Sequence, residues 1–523
     1  MTTRMFKRET SLRIGMILLL ICIAARIVQI SLSSYTTFYQ TVNSDMAGDL
    51  LQSELAASQG HLLFADNWYI STELRVIGIN ILPTILFYFG LSYRMIWALT
   101  CGIGAIFTTC SVYLAMRMLR VERFESLLAG LLILLPTGEL SYWLYIYPIY
   151  PVFLILMLFL TVLITEWIAS DAFNWRICLP GLLVSFLSGL CGARLLIQAM
   201  LPIVAFVLYQ ALRKHMRDEI SQSLVKNTVG RTWPVLLCAA SMLTGYILYE
   251  FVLCNRYGQG CTGLSIAAVD EISQNFLRLP QALLLLYGLP YRVKSIATSA
   301  AYAIQLLFIT VSYVCYVWLI ASRNRLDKRK STFIKITTSL FLFAFLLTCL
   351  LHTLDGINPT WRYFALGAYA MLLVIPLAIS SWKRRSLRYV LVFVAALLVF
   401  AYPCYQNARQ IYNEIEKPYD PPAYLCYLEE NHYSFGEATF WNANVNIVKS
   451  GGNIRIKPVF NDEELSFRAW LTQKDYRDQE AEFLLLTQEE YQLRLQNGWQ
   501  TPYQLVFSDE EYLIFAGDRV NLP

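Results

Sequence analysis

The chain has 523 residues, of which 56% are hydrophobic and 15% are charged. Charged residues make up about a quarter of an ordinary soluble domain, so this composition excludes a typical soluble protein. A nucleic-acid-binding role is excluded as well, because the basic residues lie in short loops between apolar runs and do not form one patch.

The apolar residues fall in runs long enough to cross a hydrocarbon core about 30 Å thick. Because these runs are apolar on all sides, they are typical of helices in lipid rather than of amphipathic helices on a soluble core. We predict a polytopic α-helical membrane protein with about eleven transmembrane helices. The predicted spans are 12–32, 94–116, 125–138, 147–168, 178–191, 195–212, 233–253, 298–321, 333–352, 362–381 and 388–404.

The first run follows a basic segment, as the apolar part of a signal peptide does. It is longer than such a segment, and Arg26 directly follows Ala24 and Ala25. We therefore expect a retained first span.

Basic residues cluster in alternate loops, and they place the N-terminus in the cytoplasm by the positive-inside rule. Residues 1–403 carry a net charge of +14, whereas residues 404–523 carry −9. We expect a transmembrane domain at 1–403, with a first outer loop at 33–93, and an extracytoplasmic domain at 404–523. The predicted location is the bacterial plasma membrane.

Residues 75–91 are apolar enough to be a further span. If they crossed, the basic loop that contains Arg117 and Arg123 would lie outside, against the charge rule. Pro83 and the short turn that follows favour a helix lying at the outer membrane surface.

The first outer loop carries several acids and, between residues 33 and 74, no Lys or Arg. Ser44 is a good N-cap residue, so we predict a helix from there to Gly60. Asp45 and Asp49 are four residues apart and therefore point from the same helix face. Such carboxylates can act as a general base or bind a divalent cation, and Asp66 adds a further acid. Solvated acids on an exposed loop are the alternative.

Arginines stand at several predicted outer membrane edges, where an ionised group is costly and is a candidate for function. Arg194 and Arg362 each begin a span, and Arg256 lies in the outer loop 254–297. His352 and Tyr363 are near Arg362 in sequence. A guanidinium group can donate two hydrogen bonds to a phosphate, so these residues are candidates for binding an anionic lipid phosphate. Side chains that only reach the membrane interface are the alternative for each one.

The tail after Pro403 alternates short helical and strand patterns, which predict a compact α/β domain. The predicted helices are AYLCYLEEN, SFRAWLTQ and QEEYQLRLQ. The predicted strands are EATFW, IRIKPV and FLLLT, followed by a hairpin at YQLVFSDEEYLIF.

None of the twelve cysteines has metal-ligand spacing, and no metal site is predicted from them. Two pairs share predicted outer segments and can form disulfides, Cys254 with Cys261 and Cys404 with Cys426. The sequence does not decide either pairing.

The order of features in the first 120 residues resembles the type-C glycosyltransferase superfamily. One N-terminal span is followed by a long outer loop that opens with an acid, then NWY, an interfacial helix and YRMIWALTCGIGAIFTTCSVYLAMRMLR. This superfamily includes protein O-mannosyltransferases, aminoarabinose transferases and RgtA-like bacterial enzymes. The tail stretch EATFWNANV is similar to one in members of the superfamily from Gram-positive bacteria.

The resemblance implies a GT-C fold and an inverting transfer of a sugar from a polyprenyl-phosphate donor to an acceptor outside the cytoplasm. The first-loop acid of the family corresponds to Asp45, as a base or an acceptor-binding carboxylate. Many relatives have two adjacent acids, whereas here the next acid is Asp49. Arg362 and Tyr363 match an Arg-Tyr pair that would hold the donor phosphate.

We therefore expect a membrane glycosyltransferase whose acceptor is a cell-envelope glycan, lipid or protein. A lipid-linked-sugar transporter is one alternative, although internal symmetry and charges deep in the spans are not evident. A non-catalytic scaffold with a cell-wall-binding outer domain is the other.

Overall fold

A computed structural model describes most of the chain. The described residues are 2–71, 74, 76–78, 80–135, 138–148, 150–170, 174–215, 222–257, 266–287, 296–351, 364–368, 373–381, 401, 405, 408–409, 411–413, 419–499 and 503–517. The chain divides into two compact units. The helical unit comprises Met1–Ser33, Cys101–Val252 and Gly263–Ile411, and the mixed unit comprises Ser34–Thr100, Leu253–Thr262 and Tyr412–Pro523.

Within the described residues, six helices are long and apolar enough to cross a bilayer, which indicates a multi-pass membrane protein. They are Leu12–Thr36, Tyr93–Met118, Tyr150–Ala169, Ala193–Arg213, Thr232–Tyr257 and Lys328–Leu350. Each coincides with a span predicted from the sequence.

The other predicted spans are not all matched by a helix of crossing length. Helix Arg123–Ile133 has 11 residues and Trp175–Gly189 has 15, which is short of the roughly 20 residues a span needs. Helix Ile296–Ala321 covers the predicted span 298–321. Most of the predicted span 362–381 is described, as residues 364–368 and helix Val374–Ser381. The predicted span 388–404 lies outside the described residues except for residue 401. The total of eleven spans stays a prediction.

Within the described residues, π-helical turns lie at Tyr142–Ile146, Leu196–Met200 and Tyr249–Cys254. The described membrane region also contains helices Gly138–Ser141 and Val269–Leu286 and a 3₁₀ turn at Arg323–Arg325.

Two glycines allow helices Trp175–Gly189 and Gln222–Leu248 to pack with their backbones nearly in contact. A Cβ atom on Gly189 would lie 2.0 Å from the Met242 oxygen, and one on Gly245 would lie 2.3 Å from the Phe186 oxygen. Such small-residue contacts are typical of helix pairs in membranes, where close van der Waals packing drives association.

An acid inside the helical unit is paired. The Glu166 carboxylate lies 2.6 Å from Arg329 Nε, with both side chains largely buried. Because an unpaired charge is costly in this environment, the pair indicates a structural role for Glu166.

The mixed unit contains a five-stranded sheet built from the tail. Its strands are β2 Phe435–Thr439, β3 Arg455–Val459, β5 Phe483–Thr487, β6 Gln504–Ser508 and β7 Tyr512–Ala516, in the order β3-β2-β5-β7-β6. The first three strands are parallel, and β7 runs antiparallel to β5 and β6. Leu484, Leu486 and Phe515 lie in a hydrophobic core on the sheet.

The first-loop segment belongs to the same unit as this sheet. It contains helices Phe38–Thr41, Ser44–Ser58 and Ile81–Phe87, and strand β1 Trp68–Tyr69. Strand β1 pairs antiparallel with β4, Thr472–Gln473, from the tail. The tail also contains helices Ala423–Glu430, Phe440–Lys449 and Gln488–Gln496, and a 3₁₀ turn at Lys474–Asp478.

Most of the predicted tail elements are confirmed, and the C-terminal region is a mixed α/β sheet as expected. Strand FLLLT, helix QEEYQLRLQ and the terminal hairpin lie where the sequence places them. The helix predicted at SFRAWLTQ is wrong, since this stretch is irregular and ends in β4. The predicted strand EATFW stops at Thr439, because Phe440 begins a helix that the asparagines of NANVN concealed.

Residues 75–91 do not form one long helix in their described part. The helix there is Ile81–Phe87, whose 7 residues would extend about 10 Å at 1.5 Å per residue. That length is too short to cross a hydrocarbon core, as the charge rule predicted. Its position at the membrane surface stays a prediction.

Candidate functional site

The helix that carries Asp45 and Asp49 is Ser44–Ser58, here called the loop helix. Its N-cap is Asn43, whose side-chain oxygen accepts a hydrogen bond from the Met46 N–H at 3.0 Å. The sequence prediction of Ser44 as the cap is therefore wrong by one residue. Asparagine is as good a cap as serine, which frees the Ser44 hydroxyl for another partner. The helix ends at Ser58, and Gly60 follows with φ +74°.

The loop helix packs against helix Phe440–Lys449 of the tail, here called the tail helix. The Ser44 hydroxyl donates to the main-chain oxygen of Phe440. Farther along the interface a Cβ atom on Gly48 would lie 3.0 Å from the Leu471 Cβ and 3.2 Å from the Asn444 amide nitrogen. Asn444 in turn donates to the Leu471 oxygen at 2.8 Å. Glycine at position 48 thus lets the two helices and the 471 backbone approach closely.

Asp45 is half-buried in the first turn of the loop helix and interacts electrostatically with Arg468 from the tail. The Arg468 guanidinium lies over three aromatic rings, with its Cζ 4.9 Å from the Phe440 centroid, 5.2 Å from Phe460 and 6.0 Å from Trp470. Burial lowers the pKa of Arg468, and the Asp45 carboxylate partly offsets that effect. A carboxylate and a guanidinium group from distant parts of the chain therefore interact electrostatically here.

Asp49 is 3% exposed, and the Asn80 side-chain nitrogen lies 3.4 Å from one of its carboxylate oxygens. It faces a small polar cavity with room for about one water molecule. The cavity is lined by Asp49, Gln52, Phe64, Ile70, Ser71, Leu74, Asn80 and Leu471. A sugar ring does not fit this space, so the described cavity around Asp49 can hold water but not a substrate.

The far end of the loop helix is joined to the tail by an ion pair. The Glu54 carboxylate lies 3.4 Å from Arg455 Nη1, and each side chain is about one-third exposed. Burial lowers the pKa of Arg455, but the charges of Glu54, Tyr476 and Tyr93 outweigh it and raise the pKa. Burial also raises the pKa of Tyr476 to about 12. The loop helix is thus attached to the tail at both ends.

Asp66 and Arg256 lie in the same unit as Asp45. Asp66 is exposed, its carboxylate lies 3.7 Å from His61 Nδ1, and its N–H donates to the Gln59 side chain at 2.9 Å. Arg256 is exposed as well, with its Cζ 5.6 Å from the Tyr257 ring centroid. Neither residue lines the cavity that contains Asp49.

Arg194 belongs to the helical unit, in a short helical turn that follows Gly192 at φ +88°. Its Nη1 donates to the Tyr150 hydroxyl at 2.7 Å. Its Cζ lies 5.2 Å from the Tyr150 ring and 5.0 Å from the Phe153 ring. The guanidinium is half-buried among aromatic rings, and its role as a phosphate ligand stays a prediction.

Three of the predicted site residues, His352, Arg362 and Tyr363, lie outside the described residues. The same holds for Cys261 and Cys404, so both disulfide pairings stay predictions.

A divalent cation at Asp45 and Asp49 also stays a prediction. Within the described part of the chain, no three or more side chains of His, Cys, Asp or Glu come together as a metal-binding group.

No known protein-family profile matches the chain. No curated protein matches it in sequence either.

Sequence reasoning missed Arg468, which was assigned to a helix in SFRAWLTQ. The available signal was an arginine with Phe467 directly before it and Trp470 two residues after it, in a tail of net negative charge. Isolated arginines among aromatics are common on protein surfaces, and the sequence alone gave no reason to connect this one with Asp45.

Proposed function

We propose that the chain is a membrane glycosyltransferase of type C. It transfers a sugar from a polyprenyl-phosphate donor to an acceptor on the outer side of a bacterial plasma membrane. The amino terminus is cytoplasmic and the mixed unit is extracytoplasmic, as the basic loops and acidic tail favour. Type-C architecture, about eleven spans and an interfacial helix at 75–91 are part of this proposal.

The observation that carries the proposal is the placement of Asp45. Its carboxylate is half-buried in the first turn of a capped helix and is held near a guanidinium group. A helix N-terminus and a nearby cation both favour the ionised form of a carboxylate. An ionised, partly accessible acid of this kind can accept a proton from an acceptor hydroxyl.

The chemistry assigned to Asp45 is a single inverting displacement. The acceptor oxygen attacks the anomeric carbon of the donor sugar and its proton passes to Asp45. The bond between that carbon and the phosphate oxygen breaks, and the polyprenyl phosphate leaves with the electron pair. Asp49, which is 3% exposed, assists by supporting the loop helix that carries Asp45.

The test is sugar transfer in membranes from bacteria that overproduce the chain. Sugars labelled with ¹⁴C and linked to undecaprenyl phosphate are supplied as a panel, and label in glycan, lipid and protein fractions is counted. We expect these membranes to consume at least one donor faster than membranes that lack the chain do. Asp45→Asn should reduce that transfer about 100-fold or more, because loss of a general base commonly costs 10²–10⁴-fold.

Glu464→Gln is the matched control, since Glu464 is an exposed acid of the same unit. It should transfer label as the wild type does. If Asp45→Asn were as active as this control, the assignment of Asp45 would be wrong. If no donor of the panel were consumed, the transferase proposal itself would be contradicted.

A non-catalytic scaffold is the second candidate, favoured by the small size of the cavity beside Asp49. Under that reading the acids of the loop helix only stabilise the mixed unit. Binding of purified protein to isolated cell walls, unchanged by Asp45→Asn and unaccompanied by any transfer of label, would support the scaffold over the enzyme.

A further inference from the structure

Arg468 is held in place by its backbone as well as by its side chain. Its N–H donates to the Pro458 oxygen at 2.9 Å, and its own oxygen accepts from the Trp470 N–H at 2.8 Å. Residues Val459 and Phe467 on either side of the intervening loop form an antiparallel bridge. The loop thus returns to the carboxyl end of β3 immediately before Arg468.

The chain on both sides of Arg468 adopts a backbone conformation that is uncommon for its residues. Leu465 has φ +55° and Leu471 has φ +46°, although neither is glycine. A non-glycine residue in this region is strained and persists where the surrounding structure imposes it. Leu471 is fixed by Asn444 of the tail helix, which donates to its oxygen at 2.8 Å.

The side chain of Arg468 and the start of the loop helix both contact Phe440. Its guanidinium covers the Phe440 ring, and the Phe440 oxygen accepts the hydrogen bond of Ser44, the neighbour of Asp45. Three aromatic rings limit the positions open to the guanidinium, so it has less freedom than an exposed arginine. A cation constrained in this way can orient a carboxylate beside it.

We propose that Arg468 is a positioning residue for Asp45, whose carboxylate it keeps aimed at the acceptor. This inference rests on the proposed function. It gives the tail a role in the reaction, because the tail supplies the cation that completes the site of the first loop.

A purely structural arginine packed among rings is the competing explanation. It predicts that any long apolar side chain at position 468 would preserve activity, whereas positioning requires the positive charge. Arg468→Met keeps the length without the charge, and Arg468→Lys keeps the charge. Arg477→Met is the control, since Arg477 is an exposed arginine of the same segment.

The experiment measures kcat and the donor KM with the ¹⁴C-labelled undecaprenyl-phosphate sugar that the wild type consumes. We expect Arg468→Met to lower kcat about 10- to 100-fold, as misplacement of a catalytic group does, and to change the donor KM less than about threefold. Arg468→Lys should recover part of the loss, and Arg477→Met should match the wild type. The double variant Asp45→Asn/Arg468→Met should be no slower than Asp45→Asn alone, because the two residues act as a unit.

A second measurement tests the interaction between Asp45 and Arg468 without an activity assay. Shifts in melting temperature among the four proteins of the Asp45→Asn and Arg468→Met cycle should be non-additive, since charged groups that interact electrostatically couple energetically. Additive shifts, or an Arg468→Met enzyme with the wild-type kcat, would overturn the positioning role while transfer by the wild type still supported the proposed function. If the wild type transferred no label, the proposed function would fail and the positioning role with it, whatever the melting temperatures.

Discussion

The Ser44 hydroxyl donates a hydrogen bond to the main-chain oxygen of Phe440, a residue 396 positions later in the chain. Both groups are buried, and each is the first residue of its helix. The bond joins the start of the loop helix to the start of the tail helix. The segment that carries Asp45 therefore depends on the tail for its position.

Replacing Ser44 by alanine should loosen this junction. The substitution removes one hydrogen bond from the buried Phe440 oxygen, which still accepts the N–H bond of its own helix, so we expect a loss of about 0.5–1.5 kcal/mol. Hydrogen exchange measured by mass spectrometry should become faster in peptides that cover the loop helix. Ser58→Ala, at the exposed end of the same helix, is the control and should exchange as the wild type does. Equal exchange in the two variants would show that the bond contributes little.

The ion pair at the other end of the loop helix should make a smaller contribution. Glu54→Gln removes the partner charge of Arg455, but each side chain is about one-third exposed and screened by solvent. We expect a loss of about 1 kcal/mol, which lowers the melting temperature by a few degrees. Glu430→Gln alters an exposed acid of the same unit and should leave the melting temperature unchanged. A Glu54→Gln protein as stable as that control would contradict a role for the pair.

The close packing of two membrane helices should make Gly245 intolerant of a side chain. An alanine methyl there would lie 2.3 Å from the Phe186 oxygen, a backbone atom that cannot turn away. We expect Gly245→Ala to destabilise the helical unit by about 1–3 kcal/mol, as overpacking does. The measurement is thermal unfolding in detergent, followed by tryptophan fluorescence.

Gly181→Ala is the matched control for Gly245→Ala. A Cβ atom at position 181 would meet its nearest neighbour, Cys238 Sγ, at an ordinary contact distance of 3.6 Å. Because alanine is also a better helix former than glycine, this variant should be as stable as the wild type or more so. The same melting temperature for both alanine variants would argue against the close approach of the helices.

Buried tyrosines should make the mixed unit sensitive to alkaline pH. Burial is the main cause that raises the pKa of Tyr476 and of Tyr512 from 10.0 to about 12. The unfolded chain therefore loses these protons at a lower pH than the folded chain. Their stabilising effect is complete below pH 10 and is lost as the pH rises to about 12.

Thermal melts between pH 9 and about 11 check this prediction. The melting temperature should fall across that range, and the fall should be shallower in the double variant Tyr476→Phe/Tyr512→Phe. Tyr412→Phe changes a tyrosine that is 81% exposed and should keep the slope of the wild type. A double variant with the wild-type slope would assign the alkaline sensitivity to other groups.

Local sequence patterns were enough to predict the long membrane helices and several elements of the tail. Long apolar runs predicted the six helices of crossing length, because a chain that enters lipid must satisfy its backbone hydrogen bonds within each segment. Helix Gln488–Gln496 was predicted to the residue, since Thr487 and Glu490 form a capping box and Gly498 follows the helix end at φ +76°. In these elements the signals lie within a few residues of the structure they specify.

The candidate site followed the sequence only in part. Asp45 and the loop helix were predicted, because a cap residue and helical spacing are local signals. The cation near Asp45 was not predicted, because Arg468 lies 423 positions later in the chain. It also lies in a stretch whose residue propensities favour a helix. That stretch is irregular and ends in β4, whose pairing partner β1 lies about 400 positions earlier in the chain.

The sequence by itself determined that the chain is a multi-pass membrane protein with an α/β tail, because periodicity, run length and charge act through near neighbours. Only the tertiary structure decided that the first-loop segment shares a compact unit with that tail, and that Asp45 interacts electrostatically with Arg468 there. The physical reason is that packing of Gly48 against Leu471 and the hydrogen bond from Ser44 to Phe440 form only when segments hundreds of residues apart come together. The sequence within either segment does not indicate which distant segment packs against it.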